Sequence, residues 1–312
     1  MVQVRESSDE DIKNAMKPRR KYSRKGENGI VLVVGGSWLY HGAPALAAMA
    51  SFRCGVDLVY IAVPEKIATP IRALSPNFIV LPLPDLKLTK GSVRRLEKIL
   101  PEVDAAVVGP GLVPKDADAL TFLLKELLEK DIAVVLDAAA LIPDVLAIVK
   151  GKKAVLTPHA GEFKRLFGIE LTKSAEERAV HVKEKASEYS LTILLKGVVD
   201  VISDGETVVF NKTGTSAMTV GGTGDVLSGL VAGFLSRGAR PIEAAVAAAR
   251  VNGLAGERAT VRLGYHIVAT DLLDEIPQIL KAYDVIVEDL SADVFKKGSG
   301  RCLRVSSHTK NF

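Results

Sequence analysis

Eight apolar runs of strand length, most of them separated by stretches of helical spacing, constrain this chain more than any other feature. They fall at residues 30–36, 58–64, 78–84, 105–111, 132–140, 154–158, 191–197 and 199–211. Their Val, Ile and Leu are continuous rather than alternating, as in strands covered on both faces of a parallel sheet. Residues 42–55, 116–130 and 175–189 place apolar or small side chains at helical spacing between them. This βαβ succession predicts an α/β fold, a mainly parallel central sheet with helices on both faces. The last run differs, because Asp204-Gly205 interrupts two short apolar pieces and predicts an antiparallel hairpin. From Gly221 onward the pattern is helical, over 225–238, 241–259 and 270–283, with Pro241 suited to a first helical turn.

A chain of 312 residues has the length of about two domains. No repeat or linker interrupts residues 29–287, so one domain over 22–289 is expected. It is preceded by a lead-in, 1–21, and followed by a tail, 290–312, whose lack of periodicity reads as disorder. The net charge of +4 resides at the ends: residues 1–28 hold eight Lys and Arg against five Asp and Glu, and the body is nearly neutral. With aromatic content at 5%, a nucleic-acid partner is not expected. The basic run 17–25 reads as a solvated approach to the first strand. No apolar stretch is long enough for a membrane helix, and the start lacks a signal-peptide core. Two cysteines, Cys54 and Cys302, make neither a disulfide framework nor a metal motif. A cytoplasmic protein without a membrane partner is expected.

The strongest local signal is residues 211–229, NKTGTSAMTVGGTGDVLSG, where a glycine-rich turn opens into a helix. Free N–H groups at a helix N-terminus, unobstructed by side chains, suit a phosphate. Gly221, Gly222, Thr223 and Gly224 would form this anion hole, with Asp225 at its lip. Asp225 could accept a proton from an attacking hydroxyl, or simply favour the helix dipole; the residues alone leave both open. The turn lacks the GK[ST] of a P-loop and the GxGxxG of a dinucleotide fold. Other candidates stand at the ends of expected parallel strands, where ligands usually bind: Gly35-Gly36-Ser37, Gly109-Pro110-Gly111, Thr157-Pro158-His159 and Lys196-Gly197. His159 would bond a hydroxyl or phosphate, or cap a helix, and Lys196 would neutralise phosphate or lie on the surface. Glu162 would orient a metal-bound water or sit in a first helical turn. Nothing has metal-ligand spacing.

In order along the chain stand VVGGS with a following Tyr and GAP, VVGPGL, VLDAAAL, LTPHAGEF, LLKG and GGTGDVLSG. On these motifs the chain resembles the ADP/ATP-dependent NAD(P)HX dehydratases, a ribokinase-like family, over about residues 22–282. The N-terminal epimerase domain that many relatives carry is not expected in this length. The resemblance implies a ribokinase-like three-layer fold. It also implies a hydro-lyase that removes water from the S epimer of NADHX or NADPHX while cleaving ADP or ATP, with Mg²⁺ bridging donor phosphates. Hydroxide leaves poorly and phosphate leaves well, so phosphorylation of the ring hydroxyl followed by elimination would restore the dihydropyridine. Asp225 would then be the base and Gly221 to Gly224 the anion hole. Carried onto matching positions, Ala43, Gly111, His159 and Asp225 would line the hydrated cofactor's site. Lys196, Gly197, Val198, Val199, Asp200 and Gly224 would contact the nucleotide. A homo-oligomer is also implied.

The chain departs from the family pattern in two places. Ala139 occupies the second carboxylate position of VLDADAL, and Arg24 replaces His in the Ser-His-Lys-Gly element, here Ser23 to Gly26, which would give Lys25 a role. Two other functions compete with dehydration. A small-molecule kinase of the same fold, for a sugar or vitamin precursor, would accumulate a phosphorylated product. A silent nucleotide-sensing module, suggested by Ala139, would bind nucleotide without turnover.

Overall fold

The computed structural model describes residues 3–113 and 116–288. Its strands and helices follow in the order β1 (Arg5–Glu6), α1 (Asp9–Ala15), β2 (Arg19–Arg20), β3 (Ile30–Val34), α2 (Gly42–Arg53), β4 (Leu58–Pro64), α3 (Glu65–Leu74), β5 (Ile79–Leu83), α4 (Lys90–Ile99), β6 (Ala105–Val108), α5 (Ala117–Glu129) and β7 (Ala133–Leu136). They continue as α6 (Leu146–Val149), β8 (Ala154–Leu156), α7 (Ala160–Phe167), α8 (Ala175–Tyr189), β9 (Thr192–Leu195), β10 (Asp200–Ser203), β11 (Val208–Asn211), α9 (Thr223–Ser236), α10 (Pro241–Leu263), α11 (Ala269–Leu280) and β12 (Ile286–Val287). The expected tail, 290–312, lies outside the described residues.

The main sheet has the order β1-β11-β10-β9-β8-β7-β6-β3-β4-β5. Strands β3 to β9 are mutually parallel, and β10 runs antiparallel to both β9 and β11, the expected hairpin. Successive side chains of a strand point to opposite faces, which divides the core into two layers. Val31 and Val33 of β3, Ala105 and Val107 of β6, and Val135 of β7 face the layer containing α1, α2, α3, α9, α10 and α11. Leu32, Val34, Ala106, Val108, Val134 and Leu136 face the other layer, containing α4 to α8. The result is the expected three-layer α/β architecture.

Two features position the site. The chain runs outward from β3 through β4 to β5, then returns to place β6 on the other side of β3, so β3 and β6 flank the point where strand order reverses. Open α/β sheets bind ligands beyond the strand ends at such a point. Helix α9 is buried from Val226 to Ser236 because it lies between the sheet and α2, and its glycines permit the approach. A Cβ on Gly229 would stand 2.1 Å from the Ala47 carbonyl oxygen, and one on Gly233 would stand 2.6 Å from the Cys54 Cβ.

The segment before residue 22 contributes more than a lead-in. Strand β1 pairs with β11 at the sheet edge, and Ile12 and Ala15 of α1 are fully buried in the α10 layer. Arg19 and Arg20 pair with Ile286 and Val287 in a second, two-stranded sheet. Lys25 is exposed and precedes β3, at the end of the sheet opposite the strand ends described next, so this chain does not bring its own Lys25 to them.

Candidate active site

Because β3 to β9 are parallel, the residues that follow β3, β6, β7, β8 and β9 share one edge of the sheet. There the backbone closes tightly. Gly36 donates its N–H to the Pro110 carbonyl at 2.7 Å, and a Cβ on Gly35 would lie 2.2 Å from the same oxygen. Gly111 has φ +71°, and a Cβ there would meet the Tyr40 carbonyl oxygen at 2.4 Å and the Ala43 Cβ at 3.2 Å. Ala43, in the first turn of α2, and Gly111 therefore meet at the point where strand order reverses.

The glycine turn occupies the same edge. Gly222, at φ +99°, caps α9, and Thr223 starts it. The first N–H groups of a helix lack intrahelical partners, so this turn presents donors to an anion. The Thr223 hydroxyl is turned back, donating to the carbonyls of Met218 at 3.0 Å and Val220 at 3.3 Å, so it ties the turn together and leaves the backbone N–H groups as the donors there.

Lys196, at the end of β9, links the parts. Its Nζ donates to Asp137 Oδ1 at 2.8 Å, lies 3.9 Å from Glu162 Oε2, and would stand 3.4 Å from a Cβ on Gly224. Burial alone would depress its pKa. The carboxylates of Asp137, Glu162 and Asp225 reverse that and hold the ammonium above its ordinary value. Asp225, in the first turn of α9, shows the opposite balance: burial first, and then the charge of Asp137, push its pKa up to about 7 against the pull of Lys196. A buried carboxyl that titrates near neutrality beside a lysine and a row of free N–H groups can take up a proton while a phosphoryl group is held in place.

The remaining expected residues fall on the same rim. His159 caps α7, its Nδ1 accepting from the N–H groups of Gly161 at 3.0 Å and Glu162 at 3.3 Å, while its own N–H donates to Glu162 Oε2 at 2.9 Å. The cap leaves the side chain 60% exposed, and the His159 backbone bridges to Lys196. In the loop after Lys196, Asp200 accepts from Gly197 N–H and from Asn211 Nδ2, both at 3.0 Å. Burial pushes the Asp200 carboxyl up to about 6, against those hydrogen bonds and the Lys196 charge. Val198 is 97% exposed at the tip, and Val199 packs inward against the α8 layer.

Two contacts escaped sequence reasoning. Asp137 and Lys196 are 59 residues apart, and only their common place at strand ends could have paired them. Asn252 of α10 stands behind the glycine turn, its Nδ2 3.4 Å from the Thr223 carbonyl and its buried Oδ1 without a partner among the described residues. Ala139, half-buried in a short 3₁₀ turn after Asp137, packs toward the α5 layer.

Comparison with known proteins places the chain in a family. Residues 31–278 match a family model described as NAD(P)H-hydrate dehydratase. A protein of Nitrosopumilus maritimus named ADP-dependent (S)-NAD(P)H-hydrate dehydratase is 52% identical over 277 residues, 88% of this chain and 96% of its own. Among solved structures, the ADP/ATP-dependent NAD(P)H-hydrate dehydratase of Bacillus subtilis, co-crystallised with ATP and Mg²⁺, superposes with a TM-score of 0.78 at 28% identity, covering 91% of this chain and all of that one. A ribokinase-like superfamily protein of Enterococcus faecalis gives 0.76 at 24% identity over 90% of this chain and 96% of its own.

Proposed function

Since the chain belongs to the NAD(P)H-hydrate dehydratase family, a ribokinase-like family of hydro-lyases, we propose that it dehydrates the S epimer of hydrated NADH or NADPH at the expense of ADP. One observation carries the chemistry: Asp225, with its carboxyl near neutrality, shares the mouth of the glycine turn with Lys196. In the first step Asp225 takes the proton of the ring hydroxyl as its oxygen bonds to the terminal phosphorus of ADP. The bond from that phosphorus to the bridging oxygen breaks and AMP leaves. In the second, the neighbouring carbon gives a proton to water, its C–H electron pair forms the ring double bond, and phosphate departs with the electron pair of the broken C–O bond. The reduced ring is restored.

Gly221, Gly222, Thr223 and Gly224 would stabilise the transferred group through backbone N–H groups. Lys196 would neutralise donor oxygens, and Gly197 to Asp200 would border the nucleotide. Ala43, Gly111 and His159 would line the hydrated cofactor. Among the described residues no group of three His, Cys, Asp or Glu is placed to hold a metal alone. Mg²⁺ that arrives on phosphates and keeps its water needs only one or two carboxylates, and Glu162 on this rim would supply one. Bound there, Mg²⁺ would supply charge neutralisation of the donor oxygens. The exposed Trp38, Leu39 and Tyr40 beside this rim support self-association, and sedimentation showing a monomer at micromolar concentration would refute it.

The test is recovery of the 340 nm absorbance of reduced nicotinamide from enzymatically hydrated NADH and NADPH, with ADP and Mg²⁺. Recovery with stoichiometric phosphate and AMP is expected; a stable phosphorylated product would make the protein a kinase. Asp225→Asn is expected to lower kcat by about 10²–10⁴-fold, the usual contribution of a general base, while ADP still binds.

A further inference from the structure

Asp137 follows β7 with a side chain only 3% exposed. Its Oδ1 accepts two hydrogen bonds, from Thr157 Oγ1 at the end of β8 and from Lys196 Nζ at the end of β9, both 2.8 Å long. The Thr157 hydroxyl is itself fully buried. The carboxylate is thus fixed from two neighbouring strands, and behind it a Cβ on Gly109 would lie 1.9 Å from the Asp137 carbonyl oxygen, so the backbone is fixed as well. Lysine carries its charge on a long flexible stem. Left to itself, the Lys196 ammonium could swing to Glu162, 3.9 Å away, or toward solvent.

We infer that Asp137 is a positioning residue, the buried carboxylate that fixes Lys196 at the rim of the glycine turn beside Asp225. The inference rests on the reading of Asp225 as the base. Its signature is distinctive because Asp137 is itself negative. A carboxylate near a phosphate site opposes phosphate binding, so its contribution lies in where the ammonium stands and not in affinity.

Asp137 also acts on Asp225 through space. Among the described residues, the charged groups facing Asp225 are Asp137 after β7 and Lys196 after β9, with Glu162 of α7 beside Lys196. His159 caps α7 with its ring outward. The other neighbours of the turn are uncharged: Leu46 of α2, Ala269 of α11 and Asn252 of α10. Removing the Asp137 charge therefore leaves burial opposed by Lys196 with no second carboxylate beside it, and the Asp225 proton is lost more readily.

The experiment uses full-length Asp137→Asn, a variant of equal shape. Asp225 is titrated by carboxyl carbon NMR in the free protein, ADP binding is measured by calorimetry, and kcat by the 340 nm assay. The Asp225 midpoint is expected to fall from about 7 toward the ordinary carboxylate range. ADP affinity should hold or rise while kcat drops about tenfold or more, as for a misplaced reacting group. An unchanged midpoint, or proportional loss of ADP affinity and kcat, would overturn the inference. Should this variant fail to fold, Thr157→Val, which releases one of the two bonds, must separate kcat from ADP affinity in the same way, and failure to do so would equally overturn it. A wild-type protein that restores no reduced nicotinamide would refute dehydration instead, since the midpoint and ADP affinity are read without turnover.

Discussion

Asp225 is where residue chemistry and stability oppose each other. Its carboxyl titrates at about 7 in the folded chain, against the ordinary 3.8, chiefly because burial penalises the charged form. Between those two values the folded state holds a proton that the unfolded state has lost, so this group's effect on stability becomes less favourable as pH rises from about 4 to about 7. Asp225→Asn removes the penalty. Its Tm should exceed the wild type's at pH 8, by about 2 °C or more, and the difference should vanish near pH 4. A constant difference across that range would show that the charge is not the cause. Activity should run the other way, with kcat/KM of the wild type falling below about pH 7 as the base is protonated. The sequence marked Asp225, Lys196 and His159 because each stands at a turn before a helix or at the end of an apolar run. The Asp137–Lys196 bond was not legible, because it joins strands that only the sheet order brings together.

At the scale of elements, the site depends on how closely α2 and α9 approach, since α2 carries Ala43 and α9 carries Asp225. Ser51 of α2 donates to the Gly229 carbonyl at 2.9 Å, and the Cβ that Gly229 lacks would sit 2.1 Å from the Ala47 oxygen. Backbone cannot yield as a flexible side chain can, so Gly229→Ala must separate the helices. Overpacking of this kind costs about 1–3 kcal/mol, and Tm should fall by roughly 2 °C or more in calorimetry. Gly221→Ala is the control: nothing lies within 4 Å of a Cβ there, and Tm should not move. Equal effects at both positions would refute the close-packing argument. Long elements were legible from sequence because periodicity accumulates with length: residues 175–189, expected as a helix, form α8 (Ala175–Tyr189). The two-residue strands β1, β2 and β12 carry no period at all, and only pairing defines them.

Across the whole molecule, the first residues reach the loop after Lys196 through a line of hydrogen bonds that no local pattern reveals. Ser7 donates its N–H to the Phe210 carbonyl and its hydroxyl to Asn211 Oδ1, both at 2.9 Å. Asn211, fully buried, donates to Asp200, and Asp200 accepts from Gly197 in the loop after Lys196. On its other side Arg250 of α10 holds Asp9 and the Ser7 carbonyl. The pattern 211–229 identified the glycine turn, but the support of the adjoining loop comes from the opposite end of the chain. Deleting residues 1–16 would uncover the edge of β11, remove the buried Ile12, Ala15 and Met16, and leave Asn211 with one donor fewer. At about 1.5–3 kcal/mol for a buried Ile or Met side chain, the loss should lower Tm by several degrees. Ser7→Ala isolates the hydrogen-bond contribution, worth about 1 kcal/mol, because it leaves the apolar contacts in place. If the line of bonds steadies the loop, Ser7→Ala should weaken ADP binding several-fold in calorimetry, yet leave kcat at saturating ADP unchanged, since Asp225 and Lys196 are untouched. ADP affinity equal to that of the wild type would mean that the N-terminal segment stabilises the sheet edge and nothing beyond it.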